Sequence, residues 1–198
     1  MNQEIEIEFK NLLTTDEYNK LSTIYSSQLC KKQKQTNYYF DDSRMSLKEH
    51  GCALRIREKS GEYYLTFKEP HHDGLLETHQ KLTNTEKDEA IKLGKIPSGD
   101  VLNQVQNKLK SMKTEFVLLG ELTTFRMEGN VEGGLLVLDE SHYLHMIDYE
   151  LEFECNDVHL GKKAFDKLLE THNIRSRHTP NKIRRFFELK MKLEGKNT

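Results

Sequence analysis

Residues 4–10, Glu4-Ile5-Glu6-Ile7-Glu8-Phe9-Lys10, alternate charged and apolar side chains without a break. A period of two is that of a β-strand, so Glu4, Glu6, Glu8 and Lys10 share one face while Ile5, Ile7 and Phe9 share the other. Carboxylates stacked along one face at separations of roughly 7 Å repel one another unless cations lie between them. Two readings are open for this strand: its acids border a bound metal, or it is an N-terminal edge strand whose charges face water and block edge pairing. The pattern recurs far along the chain in Asp148-Tyr149-Glu150-Leu151-Glu152-Phe153-Glu154, where Glu150, Glu152 and Glu154 are in phase. Between these stretches the alternating runs become cationic. Ala53–Lys59 puts Arg55, Arg57 and Lys59 on one face, and Tyr63–Lys68 puts Lys68 with Tyr64 and Thr66, opposite Tyr63, Leu65 and Phe67.

The remaining pieces follow from turn and cap signals. Thr14 to Glu17 is a capping box opening a helix through about Ser26, with Leu21, Ile24 and Tyr25 inward. Lys34–Asp41 reads as a strand ending in an Asp41-Asp42-Ser43 turn, and Ser60-Gly61-Glu62 joins a hairpin. A loop with Pro70, His71, His72, Asp73 and Gly74 precedes a strand from Leu75 to Leu82 carrying Glu77, His79 and Lys81 in phase; the histidine pair is read as a solvated turn. The stretch from Asn84 to Lys113 is expected to be helical, with a Thr83–Glu86 capping box, an end at Gly94 and a second helix opened by Pro97-Ser98. Strands are expected at Phe116–Gly120, at Leu122–Glu128 with Arg126, and at Leu135–Asp139. Turns are expected at Gly129-Asn130, Gly133-Gly134 and Ser141-His142-Tyr143. Lys162–Thr171 is an amphipathic helix, and Thr179-Pro180 caps a last one from Asn181 to about Leu193, with Lys182 near its start.

Charged residues make up 31% of the 198 and hydrophobic ones 35%, yet the formal net charge is only -2. That balance argues against a general nucleic-acid binder. Cys30, Cys52 and Cys155 form no CxxC pair, which fits a reducing compartment and excludes a cysteine zinc site. The N-terminal residues lack a basic and apolar leader, and no apolar stretch approaches the roughly 20 residues of a membrane span, so a cytoplasmic protein without a membrane or nucleic-acid partner is expected. One domain over residues 1–193 with a polar tail at 194–198 is the expected organisation.

Acidic and basic faces converge only if they border a common space. Open sheets with their charged faces in water would fit any single strand. A closed antiparallel barrel, apolar faces outward beneath helices and charged faces lining a lumen, accounts for the consistency of Glu, Arg and Lys at those positions. A cationic lining costs several kcal/mol per unpaired ion, so such a lumen would hold a polyanion such as a phosphate chain.

Glu6-Ile7-Glu8-Phe9-Lys10 matches the ExExK signature of the CYTH domain, or triphosphate tunnel metalloenzyme, superfamily. Arg55, Arg57, Lys68, Arg126, Asp139, the Glu150/Glu152 pair and Lys182 follow in that family's order, from Glu4 to about Arg185. The chain resembles most its single-domain bacterial members, labelled adenylate-cyclase-like or triphosphatase-like. The resemblance implies an α+β fold built on an eight-stranded antiparallel tunnel. It implies that Glu6, Glu8, Glu150 and Glu152, assisted by Asp139, hold Mg²⁺ or Mn²⁺, and that Lys10, Arg55, Arg57, Lys68, Arg126 and Lys182 grip phosphate oxygens, with Glu6, Glu8, Lys10 and Lys182 at the reacting centre. The alternative reading of Asp139 alone is a strand-ending turn residue, and Glu4, Glu77, Lys81 and Glu154 are left without a role. The leading expectation is a metal-dependent triphosphatase acting on inorganic, nucleoside or thiamine triphosphate. A class IV adenylate cyclase and a noncatalytic polyphosphate- or nucleotide-binding module are the alternatives. Nothing in the sequence fixes the oligomeric state.

Overall fold

A computed structural model describes residues 2–112 and 115–195. The expected helical stretch therefore reaches outside the described residues at Lys113, and the expected polar tail does so at 196–198. The elements in order are β1 (Asn2–Leu13), α1 (Thr15–Ile24), β2 (Gln33–Asp41), α2 (Ser46–Glu49), β3 (Ala53–Lys59), β4 (Glu62–His71) and β5 (Gly74–Leu82), then α3 (Asn84–Leu93), α4 (Asp100–Leu109), β6 (Val117–Val131), β7 (Gly134–Tyr143), β8 (Met146–Cys155), α5 (Val158–Thr171) and α6 (Lys182–Leu193). The strands form a closed barrel in the hydrogen-bonded order β1-β5-β4-β3-β2-β6-β7-β8. The eight-stranded antiparallel α+β architecture expected from the sequence is therefore present.

The contacts group into two compact units: Met1–Glu6 with Gln35–Glu121, and Ile7–Lys34 with Leu122–Thr198. In the first, Leu54, Ile56, Leu65, Phe67 and Leu82 from β3, β4 and β5 pack with Ala90 of α3 and with Val101, Leu102 and Val105 of α4. Arg55, Lys68 and Glu77 alternate with these residues, so the charged face of each strand is the one turned away from the helices. In the second unit Leu136, Leu138, Leu151 and Phe153 of β7 and β8 pack with Leu21 of α1 and with Phe165, Leu168 and Leu169 of α5. Asp139, Glu150 and Glu152 take the opposite phase. Fully burying one of these large apolar side chains contributes about 1.5–3 kcal/mol, and both helical layers sit where that burial is.

Both capping boxes, Thr14–Glu17 and Thr83–Glu86, are present with the reciprocal bonds that define the motif. Several boundaries differ from expectation. Tyr18 is the residue of α1 that is buried with Leu21, where Ile24 was expected, and Ile24 is 47% exposed, as is Ile5 on β1. The Asp41-Asp42 turn continues into α2, because Asp41 accepts the amides of Leu47 and Lys48 while Asp42 accepts those of Arg44 and Ser46. Pro70 and His71 lie within β4, not in a loop. Pro97-Ser98 does not open α4; Gly99 is its cap and has no side chain to offer. The two strands expected from Phe116 to Glu128 are one continuous β6, and Gly129-Asn130 belongs to it. Glycine is required at 129 by a close approach, since a Cβ there would lie 2.2 Å from the Gln28 carbonyl oxygen. Similarly, β7 runs through Ser141-His142-Tyr143, and the hairpin turns at Leu144-His145, both left-handed at φ 44° and 69°. Neither residue type signals such a turn, which ordinarily selects Asn or Gly. Finally, the cap of α6 is Asn181, which accepts the Arg184 amide, not Thr179-Pro180.

Candidate active site

The charged faces form two ion networks, one in each unit. In the first, β1 ends its contribution with Glu6, whose Oε2 accepts from Lys68 Nζ at 2.6 Å. Lys68 also pairs with Glu77 Oε1, the residue directly opposite it on β5. Burial would raise both acids. Lys68 and Arg55 outweigh that for Glu77, holding it at about 2, whereas Glu6 stays raised by its burial and by its neighbour Glu77. Arg55 hydrogen-bonds Tyr39 and is attracted to Glu77 and Glu6, but its Nε is buried with no hydrogen-bond partner. A buried guanidinium donor without an acceptor is costly, and an anionic oxygen would satisfy it. Arg57 is held differently, donating from Nε to Asn37 Oδ1 at 3.0 Å. His79 sits beside this group, 3.0 Å from Thr66 Oγ1 through Nδ1 and 3.1 Å from Glu4 Oε1 through Nε2.

The second network is denser. Arg126 makes a fork on Asp139, Nε to Oδ1 at 2.8 Å and Nη2 to Oδ2 at 2.7 Å, and its Nη2 also reaches Glu152 Oε2 at 2.6 Å. The two residues face each other across β6 and β7, which is why a parallel fork is possible. Lys182, the first residue of α6, reaches Asp139 Oδ2 at 2.9 Å, Glu150 Oε1 at 3.0 Å and Glu152 Oε1 at 2.5 Å. Lys10 pairs with Glu8 at 2.5 Å and lies opposite Glu152 on β8. Arg185 pairs with Glu150 and with Asp148, so four cations meet five carboxylates, before Glu154, 3.9 Å from Arg126, is counted at the edge.

Asp139, Glu150 and Glu152 do not share this excess evenly. Burial would raise Glu152 and Asp139, but Lys182 and Arg126 hold Glu152 well below the carboxylate range and Asp139 below its ordinary value. Burial, with repulsion from Glu152, instead pushes Glu150 up to about 7. Its Oε2 is buried and is met by Arg185 Nη2 at 2.5 Å. An all-oxygen donor set with surplus negative charge and an acid that resists ionisation is what a hard divalent cation relieves. The donor chemistry suits a hard divalent cation, although among the described residues the groups whose ligand atoms all lie within 4.8 Å of one another are Glu4, Glu77 and His79, and His71, His72 and Asp73, not these acids.

Within the first unit the structure thus brings together Glu6, Arg55 and Lys68, and within the second Lys10 with Glu8, and Arg126, Asp139, Glu150, Glu152 and Lys182 with one another. Asp139 is a network member and not a strand-ending turn. Glu77 is 3% exposed and joined to Lys68, a partnership that its weakly patterned strand could not reveal without the β4–β5 register. Arg185 and Asp148 were also missed, although the spacing of Lys182 and Arg185 on one helix face was a signal. His71, His72 and Asp73 place three possible ligand atoms within 4.8 Å of one another. His72 and Asp73 are exposed, in keeping with a solvated turn. No helix among the described residues is long and apolar enough to cross a membrane.

The CYTH domain model matches residues 4–187. A Bacillus subtilis protein named "Putative triphosphatase YjbK" is 46% identical over 194 residues, 97% of this chain and 99% of that one. A Bacillus halodurans crystal structure, described as that of a putative adenylate cyclase, is 37% identical with a TM-score of 0.88, covering 94% of this chain and all of that one. A Hippeastrum protein described as a putative adenylyl cyclase with dominant triphosphatase activity shares the fold at 24% identity and a TM-score of 0.77, covering 98% of each chain. With its ExExK strand, its second acidic strand and its barrel all in place, the chain belongs to the CYTH domain family.

Proposed function

We propose that this protein is a divalent-metal-dependent triphosphatase that releases the terminal phosphate of a linear triphosphate. The observation that carries the reading is the convergence of Arg126 and Lys182 on Asp139, Glu150 and Glu152, buried acids and cations whose desolvation cost an apolar core would avoid. The 46% identical relative named as a triphosphatase supports it. Glu6, Glu8, Glu150 and Glu152, with Asp139, would hold Mg²⁺ or Mn²⁺, which when bound polarises phosphoryl oxygens and lowers the pKa of water. Lys10, Arg55, Arg57, Lys68, Arg126 and Lys182 would take phosphate oxygens, the arginines as forks and the lysines as point charges. Lys182 and Arg126 would neutralise charge on the transferring phosphoryl group, the dominant requirement of this chemistry. Charge-assisted contacts contribute about 1.5–3 kcal/mol each, so several outweigh one base-stacking contact of about 1–3 kcal/mol. Inorganic triphosphate should therefore be turned over at least as well as ATP or thiamine triphosphate.

The second reading is an adenylate cyclase, in which the ribose 3′-hydroxyl attacks the α-phosphorus and pyrophosphate leaves; the name of the Bacillus halodurans relative favours it. The third is a noncatalytic binding module. One experiment separates all three: orthophosphate and cyclic AMP are measured on a panel of triphosphates with Mg²⁺, with Mn²⁺ and with EDTA. Metal-dependent orthophosphate release is expected. Cyclic AMP from ATP with inorganic triphosphate untouched would establish the cyclase, and binding without turnover the module.

A further inference from the structure

Arg185 is 9% exposed, one helical turn after Lys182 on α6, and every nitrogen of its guanidinium has a partner. Nε donates to Asp148 Oδ2 at 2.9 Å and Nη1 to the Pro180 carbonyl at 2.6 Å. Nη2 reaches Asp148 Oδ1 at 3.3 Å and Glu150 Oε2 at 2.5 Å. Tyr143 donates its hydroxyl to Asp148 Oδ2 at 2.6 Å and so fixes the acid that fixes the arginine. Asp148 and Glu150 are two apart on β8 and share a face, and Lys182 and Arg185 are three apart on a helix and share one too. The two carboxylate oxygens of Glu150 are thus held by two residues of the same helix, Oε1 by Lys182 and Oε2 by Arg185.

We propose that Arg185, seated by Asp148 and Tyr143, is a positioning residue that sets the orientation of Glu150 and the reach of Lys182; the inference rests on the metal-dependent triphosphatase reading. The physical need for it lies in the helix. The first turn of α6 contains no acid, while Lys182, Arg184 and Arg185 crowd the end where the backbone already presents unpaired N–H groups. Within the helix Arg184 pairs with Glu188 at 2.9 Å, but the acids that meet Lys182 and Arg185 lie on the barrel strands, so the anchor for these two residues comes from β7 and β8. Asp148 supplies it through a fork that a lysine cannot reproduce, since an ammonium has one centre whereas the separate nitrogens of the guanidinium meet four oxygens, both of Asp148, the Pro180 carbonyl and Glu150 Oε2. With the anchor loose, Lys182 and Glu150 would keep their charges but lose their fixed geometry, and misplacement by about 1 Å is enough to cost on the order of 10²-fold in rate.

The test compares Arg185→Met, Arg185→Lys and Asp148→Asn with the parent protein by steady-state kinetics on inorganic triphosphate and by calorimetric titration with Mn²⁺ alone. Expected is a fall in kcat of about 10- to 100-fold with KM changed by less than about threefold, and Mn²⁺ affinity weakened by roughly tenfold or more, as for groups that orient metal ligands. Arg185→Lys should resemble Arg185→Met, and the Arg185→Met/Asp148→Asn double variant should lose no more than Arg185→Met, because both act through one chain of contacts. If Arg185→Met does not fold, the other two single variants carry the comparison. Variants whose melting temperature falls while kcat per folded molecule and Mn²⁺ affinity stay within about twofold of the parent would overturn the proposal, leaving a role in fold stability only. Full activity in Arg185→Lys would overturn it as well. A parent protein that binds Mn²⁺ but hydrolyses no triphosphate defeats the functional reading alone, and the titrations still decide the role of Arg185.

Discussion

Glu150→Gln should remove a pH dependence from the stability of the metal-free protein. The carboxyl lies near 7 in the fold against an ordinary value of 4.5, because burial and the neighbouring Glu152 oppose its charge. A raised carboxyl means that the native state keeps a proton the unfolded chain has released. The resulting stabilisation is full below about 4.5 and is lost as pH rises through about 7. Integrating the two titrations from pH 5 to pH 8 gives a loss of about 2.5 kcal/mol, which for a chain of this length moves the melting temperature by roughly 5–10 °C. Glu152 titrates in the opposite sense, its pKa lowered, so its contribution is already complete above pH 5 and does not confuse the window. The assay is thermal or urea unfolding in EDTA at half-unit intervals over that range, for the parent and the glutamine variant. The parent should fall relative to the variant by that amount, and added Mn²⁺ should restore it chiefly at the alkaline end. Parallel curves for the two proteins would refute the account of Glu150 as an acid held protonated by its surroundings.

Other consequences can be checked with the same unfolding measurements. Lys182→Met leaves Asp139, Glu150 and Glu152 without their shared cation and should cost roughly 3–5 kcal/mol in EDTA, with part recovered by Mn²⁺. Gly94→Ala should be severe, about 2 kcal/mol or more, because φ is +69° and a Cβ would lie 1.8 Å from the Phe116 carbonyl oxygen, whereas Gly61→Ala, at φ +78° with open space around it, should cost only about 1 kcal/mol. Phe67→Ala, fully buried beneath α4, should lose about 3–5 kcal/mol, seen as a lower urea midpoint with little change in slope.

What could be read in the sequence was whatever depends on a local period or a local cap. The alternation in β1, β3, β4 and β8 assigned charged and apolar faces before any partner strand was known, and the capping boxes at Thr14 and Thr83 marked two helix starts correctly. Errors arose where a residue's role is set by something distant in sequence. Gly129 looks like a turn because glycine usually makes one; it is in a strand because the backbone of Gln28 passes against it. Leu144 and His145 turn without any turn residue because the β7–β8 pairing forces them to. In the site, charges in phase on long strands were visible. The connections between them were not, since Lys68 meets Glu77, and Arg126 meets Asp139, only through the registers of β4 with β5 and β6 with β7.

Strand β1 finds its hydrogen-bonding partners at two very different distances along the chain. Its residues from Asn2 to Glu6 pair with β5 between Leu75 and His79, but those from Ile7 to Leu13 pair with β8 between Tyr149 and Cys155. During synthesis the first stretch can be matched before half the chain has left the ribosome, while the second waits until nearly four-fifths of it has. Loop closure over such a span is slow, and for that interval a strand with Ile7 and Phe9 on one side offers an open edge to other nascent chains. The glutamates on its other side then act as gatekeepers: like charges on neighbouring copies repel and keep the strand from pairing with its own kind. The same carboxylates proposed to hold metal in the finished barrel would thus guard the unfinished one against aggregation.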